Sequence, residues 1–157
     1  MEISQGSVAY SGYHTLGVGM KVSGFVLPDT TAGIINFKCV CPKNIAAIPN
    51  AKIRVIIITI EDAKPSADTL LIVSTKAFAD TENMDSALIA ETKTDVKMPA
   101  TADTLKYYEQ SITNGSAPVS DNIVLGQIKR DPSDSLDKFT GVIMVIGVEL
   151  IIDRTIP

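Results

Sequence analysis

The sequence has no tryptophan, a single histidine and few aromatic side chains overall. A Ser or Cys nucleophile of the triad type needs a histidine as its base, and the only one, His14, lies in a Gly- and Ser-rich stretch. The chain contains no nucleophile elbow, P-loop or dinucleotide-binding glycine motif. A glycosidase-like pair of carboxylates usually lies among several aromatic rings, which are scarce here. We therefore expect neither catalytic residues nor a cofactor, so the protein is predicted not to be an enzyme.

Cysteine is also rare, and the two residues present, Cys39 and Cys41, lie two positions apart in FKCVC. On a strand such residues point to the same face with Cα atoms roughly 6.5–7 Å apart, at or beyond the limit for a disulfide. We interpret them as two small buried hydrophobic side chains. Half of a metal site is the alternative, but one histidine and no second cysteine pair leave a zinc site short of ligands.

Long apolar runs and an excess of positive charge are missing as well. The longest apolar run, 142–152, contains Glu149 and falls well short of the roughly 20 residues that span a bilayer. No charged start leads into an apolar segment as in a signal peptide. The net charge is −4, whereas nucleic-acid binding needs a basic face. We expect a soluble protein without membrane or nucleic-acid partners.

What the chain does contain is a series of short segments rich in Ile, Val and Thr, separated by turns rich in Pro, Gly, Asn, Asp and Ser. This spacing is typical of an antiparallel sandwich or barrel. The prediction is an all-β, eight-stranded antiparallel jelly-roll sandwich over 18–157, preceded by an irregular N-terminal arm over 1–17. A short helical turn within 80–92 is the one alternative left open. The predicted strands are 18–27, 34–41, 51–60, 69–79, 86–96, 104–112, 121–130 and 139–152.

Two of these segments, 51–60 and 139–152, are largely apolar on both faces. Alternation places Val142, Met144, Ile146 and the following even-numbered residues on one wholly apolar face, and the odd-numbered residues on a second, partly apolar face. A strand apolar on both sides in a one-domain sandwich suggests that its outer face is also covered. We therefore predict self-association. The predicted oligomer interface is Ile56, Ile58, Ile60, Ile143 and Val145.

Three acids at three-residue intervals, Asp131, Asp134 and Asp137, precede the last apolar segment. They do not follow the EF-hand spacing, and they are weak candidates for a cation site built from an irregular loop. The simpler interpretation is a tight connection between strands, in which Asp134 caps backbone N–H groups and Asp137 pairs with Arg130 or Lys138.

The stretch KRDPSDSLDKFTGVIMVIGVEL, 129–150, resembles the C-terminal end of a jelly-roll module found in virion proteins of tailed bacteriophages. The matching features are Arg130-Asp131, the Asp-rich loop, the Thr140-Gly141 strand start and the Gly147-Val148 strand end. The resemblance covers roughly 30–152. It implies a non-enzymatic building block of a virus particle, often a homotrimer, as a capsid decoration, head fibre or tail-fibre tip. The expected partners are further copies of the chain and the major capsid protein or other virion components. The expected location is the virion surface, after assembly in the host cytoplasm.

A chain that begins at Met1 and carries little besides one module is expected to be a stand-alone decoration protein rather than a fibre tip, with the arm docked on a capsid or a neighbouring subunit. The alternative function is a carbohydrate-binding or adhesin module of the same architecture that attaches to host glycans. Exposed aromatic side chains would favour it. Tyr107 and Tyr108 are the predicted glycan contacts, and Tyr10 and Tyr13 are the other candidates.

Overall fold

The structure is a computed structural model that describes residues 2–5, 9–17, 19–43, 51–61, 67–81, 83, 89–112 and 121–152. All regular elements in this part of the chain are β-strands, and it contains no helix long and apolar enough to cross a membrane. The strands are β1 (Glu2–Gln5), β2 (Tyr10–Thr15), β3 (Lys21–Leu27), β4 (Gly33–Val40), β5 (Lys52–Thr59), β6 (Ala67–Phe78), β7 (Ile89–Met98), β8 (Leu105–Ser111), β9 (Ile123–Arg130) and β10 (Ile143–Ile151).

The strands form two five-stranded antiparallel sheets. The first sheet has the order β1-β4-β9-β6-β7 and the second β2-β3-β10-β5-β8. Strands β3 to β10 correspond to the eight predicted segments. Within these eight strands one sheet has the order β3-β10-β5-β8 and the other β4-β9-β6-β7. Consecutive strands therefore change sheet at every connection except that between β6 and β7. This is the double Greek key of a jelly roll, so the predicted fold class is confirmed. The helical alternative rested on Met84, Ala87 and Leu88, which lie outside the described residues.

The prediction of an irregular arm over 1–17 is wrong. β1 pairs with β4 and β2 pairs with β3, so each adds an edge strand to one sheet. The stretch lacks an apolar alternation because the edge strands are held through backbone hydrogen bonds to their neighbours. That interaction leaves little trace in the side-chain pattern.

The core between the sheets is built from aliphatic side chains, as the composition requires. β5 contributes Ile53, Val55 and Ile57, all fully buried. In β10 the inward face changes parity, because a bulge lies between Val145 and Gly147 in the pairing with β5. A bulge adds one residue to one strand and shifts the alternation after it. The core residues of β10 and its continuation are therefore Ile143, Val145, Val148, Leu150 and Ile152.

The same bulge separates β3 from β10. The two strands pair only from Leu27 opposite Ile143 to Phe25 opposite Val145. Beyond that point the β2–β3 hairpin leaves the sheet and crosses its outer face. Its tip is fastened to the loop before β8, where the Asp103 carboxylate contacts His14 and accepts the Gly17 N–H at 2.9 Å.

Asp103 lies beside the end of β5, because its own N–H donates to the Thr59 carbonyl at 2.9 Å. The hydrogen bond from His14, followed by that from Gly17, lowers the pKa of the Asp103 carboxyl.

The crossing hairpin encloses a second apolar cluster on the outer face. Its buried members are Val26, Ile58 and Met144, with Val22, Ile60, Val142 and Ile146 packed around them.

Candidate functional site

The acidic corner between β9 and β10 is built around a buried arginine. The Arg130 side chain is 0% exposed, and its Nε donates to Asp137 Oδ2 at 2.9 Å. Its other nitrogens donate to the carbonyls of Gly141 at 2.7 Å and Phe139 at 2.5 Å. Asp137 also accepts the Thr69 hydroxyl at 3.0 Å. The predicted pairing of Asp137 with Arg130 is confirmed. Arg130 also donates to the Pro28 carbonyl at 3.3 Å, so the cluster ties four segments of the chain together.

The other two acids of the corner hold its turns. Asp131 accepts the Ser133 hydroxyl at 2.6 Å, and this hydrogen bond lowers its pKa. Asp134 accepts the Leu136 N–H at 3.0 Å and the Lys93 ammonium at 3.0 Å, and the backbone bond is the larger cause of its lowered pKa. In the described ranges no three His, Cys, Asp or Glu side chains form a group that could hold a metal ion. The hydrogen bond from the Leu136 N–H to Asp134 confirms the cap predicted for this residue.

Both cysteines are free and buried, as the sequence analysis expected. Burial raises the pKa of the Cys39 thiol to about 12 and also raises that of Cys41. A thiol with so high a pKa carries almost no thiolate near neutral pH, so it is a poor nucleophile.

The predicted oligomer interface divides between two faces. The prediction is wrong for Ile143 and Val145, because the bulge had not been anticipated and both side chains lie in the core between the sheets. Ile56, Ile58 and Ile60 do lie on the outer side. Ile58 is only 3% exposed, since the hairpin of its own chain encloses it. The apolar outer face therefore does not require a second subunit, and self-association stays a prediction.

The two adjacent tyrosines point to opposite faces, as alternation predicted, and only one meets solvent. Tyr108 is 8% exposed, belongs to the core and donates its hydroxyl to Gln110 Oε1 at 2.5 Å. Burial raises its pKa. The prediction of Tyr108 as a glycan contact is thus wrong, because its ring is enclosed. Tyr107 is 54% exposed on the outer face of the second sheet.

Tyr107 lies beside a fixed polar network. The Arg54 guanidinium carbon is 5.5 Å from the centre of the Tyr107 ring, within cation–π distance. Arg54 donates to Glu109 at 2.7 and 3.0 Å and to Glu149 at 3.3 Å. The hydrogen bond to Glu109, followed by the interactions with Glu149, raises the pKa of Arg54. The same bond from Arg54 lowers the pKa of Glu109. Lys52 lies 3.6 Å from Glu109 and completes the network.

We call Tyr107, Arg54, Glu109 and Glu149 the β5–β8 platform. It offers an aromatic ring, a guanidinium and two carboxylates on an open surface, which suits reversible contact with a polar ligand. Tyr107 was predicted from the sequence, whereas the three charged residues were not. They come from three segments, and only the strand register, with Arg54 opposite both Glu109 and Glu149, brings them together.

Comparison with known proteins gives likenesses to solved structures alone. No family model and no curated protein matches the chain. Among solved structures, TmCBM61 in complex with β-1,4-galactotriose is similar over 97% of this chain and 88% of that chain, with a TM-score of 0.46 and 8% identity. A likeness at this level says nothing about the ligand of the present chain.

Proposed function

We propose that the protein is a non-catalytic glycan-binding jelly roll that holds its ligand on the β5–β8 platform. The observation that carries the proposal is the exposed Tyr107 ring beside an Arg54 guanidinium that two carboxylates hold in place. Sugar rings present a face of C–H groups, which stack on an aromatic ring, and a rim of hydroxyls, which donate to carboxylates and accept from guanidinium N–H groups.

The platform is open rather than enclosed, so the binding is expected to be weak. A Kd on the order of 1 mM corresponds to about −4 kcal/mol, which one stacked ring and a few charge-assisted hydrogen bonds can supply. No large rearrangement is needed, because the ion pairs already fix the polar groups before a ligand arrives.

A glycan array followed by titration of the best ligand tests the proposal, with β-1,4-galactotriose among the probes. Tyr107→Ala should weaken binding at least about fivefold, an effect of roughly 1 kcal/mol. Tyr107→Phe keeps the ring and should retain most of the affinity, so it is the matched control. An array without any bound glycan would refute the function. Unchanged binding by Tyr107→Ala would refute the platform as its site.

The sequence also predicts a self-associating virion building block, and that role stays a prediction. Its main structural reason, an apolar outer face in need of a partner, is weakened by the hairpin that encloses Ile58 and Met144. Size-exclusion chromatography with light scattering separates the two functions. A stable trimer would support the virion role, whereas a monomer that binds glycans would speak against it.

A further inference from the structure

A cleft of about 350 Å³ lies where the β2–β3 hairpin leaves the second sheet. The bulge of β10 at Ile146 forms one wall and the hairpin forms the other. The hairpin backbone fits closely against the bulge because Gly24 has no side chain. A Cβ at that position would lie 2.5 Å from the Val145 carbonyl oxygen and 2.8 Å from Met144 Cγ. The cleft is thus a product of the local backbone arrangement.

The hairpin face that borders the cleft carries aromatic and hydroxyl groups in alternating positions. Tyr13 is directly opposite Ser23, and Ser11 is directly opposite Phe25. On one face of an antiparallel pair, such residues form a block in which the two rings lie on one diagonal and the two hydroxyls on the other. Tyr13 is 80% exposed, which makes it the most exposed of the large apolar side chains in the described residues.

The lining is uncharged. Among the eight described residues that border the cleft, none is Asp, Glu, Lys, Arg or His. An anionic sugar would find no cation to pair with there, and the net charge of −4 gives it no long-range attraction. The groups that line it are the hydroxyls of Ser11, Ser23 and Tyr13, the exposed Tyr13 ring and one side of Phe25, whose ring also packs against the core. Hydroxyls and an aromatic face match the hydroxyls and C–H faces of an uncharged sugar.

From this geometry we infer a second glycan site, in which the cleft holds one neutral pyranose unit of a glycan chain. The inference rests on the proposed glycan-binding function. The volume of the cleft is near the lower end of the range for ligand pockets, about 300–1,000 Å³, which suits one sugar unit rather than a long stretch of chain. The cleft shares no residue with the platform, because residues of β2, β3 and β10 line the cleft, whereas the platform consists of Tyr107, Arg54, Glu109 and Glu149.

Five proteins test the inference: the unaltered chain, Tyr13→Ala, Ser23→Ala, Tyr107→Ala and the double variant of Tyr13 and Tyr107. Each is measured by affinity electrophoresis in gels that contain a neutral β-glucan, a neutral galactan or polygalacturonate. We expect Tyr13→Ala to lose at least about fivefold in affinity for a neutral polymer. We also expect Tyr107→Ala to keep a residual affinity that the double variant lacks. Ser23→Ala, which removes one hydroxyl of the cleft, should weaken binding by a smaller factor.

Because Tyr13 is largely exposed, its replacement should leave the melting temperature within a few degrees of the unaltered value. This control separates loss of a contact from loss of the fold. Neutral-polymer binding that depends on Tyr107 alone would overturn the second site and leave the proposed function intact. Retention by polygalacturonate in preference to both neutral polymers would overturn the sugar class. No retention by any polymer would overturn the second site and the proposed function together.

Discussion

Asp137→Asn removes one charge from a buried ion pair and leaves the shape of the site almost unchanged. Arg130 would keep its hydrogen bonds to the carbonyls of Phe139 and Gly141, but its cation would have no counter-charge. Removing one partner from a buried pair typically costs about 3–5 kcal/mol. That is a large share of the roughly 5–15 kcal/mol by which a domain is stable.

Urea denaturation followed by far-UV circular dichroism measures this loss. With a slope near ~2 kcal/mol per molar urea, the midpoint should fall by roughly 1.5–2.5 M. Asp134→Asn is the matched control, because it removes an acid of the same loop that pairs with Lys93 at the surface. The control should lose less than ~1 kcal/mol. If the two variants were equally stable, the argument that Arg130 and Asp137 hold this corner together would be refuted.

Three further predictions concern packing and reactivity. Gly126→Ala should lower the melting temperature by the equivalent of about 1–3 kcal/mol, because its Cβ would lie 2.2 Å from the Phe37 ring; an unchanged melting curve would contradict this. Cys39, with a pKa of about 12, should not react with a thiol reagent at pH 8 until urea unfolds the chain; rapid native labelling would show that it is accessible. Ile58→Asp should destabilise the protein far more than Ile56→Asp on the same face of β5, because Ile58 is enclosed by the hairpin; equal denaturation midpoints would place the hairpin elsewhere.

The sequence alone predicts the eight strands of the jelly roll because each carries its own apolar alternation and is bounded by turn residues. The pairing of Arg130 with Asp137 was also predictable, since opposite charges seven residues apart flank a tight connection. The complete burial of Arg130 was not predictable. Two of the four carbonyls that accept its hydrogen bonds belong to Leu27 and Pro28, which are distant from it in the chain.

The errors in β8 and β10 come from the limits of apolar alternation as a signal. Alternation tells which residues lie on the same face, but not which face is turned to the core. It therefore placed Tyr107 and Tyr108 on opposite sides without showing which ring is exposed. A bulge also reverses the alternation without any mark in the sequence. Ile146 is an aliphatic residue in an aliphatic run, so Ile143 and Val145 were assigned to the wrong face of β10.

That one extra residue in β10 links features that otherwise look separate. It turns both Val145 and Val148 inward, so that the two halves of the strand fill one core although their spacing is odd. It ends the pairing with β3 at Phe25, which frees the hairpin to cross the outer face and enclose Ile58 and Met144. It also supplies the wall of the cleft beside Tyr13. An apolar outer face is usually explained by a partner molecule. Here the bulge lets the chain cover that face itself, and the proposed second site lies where the hairpin and the bulge meet.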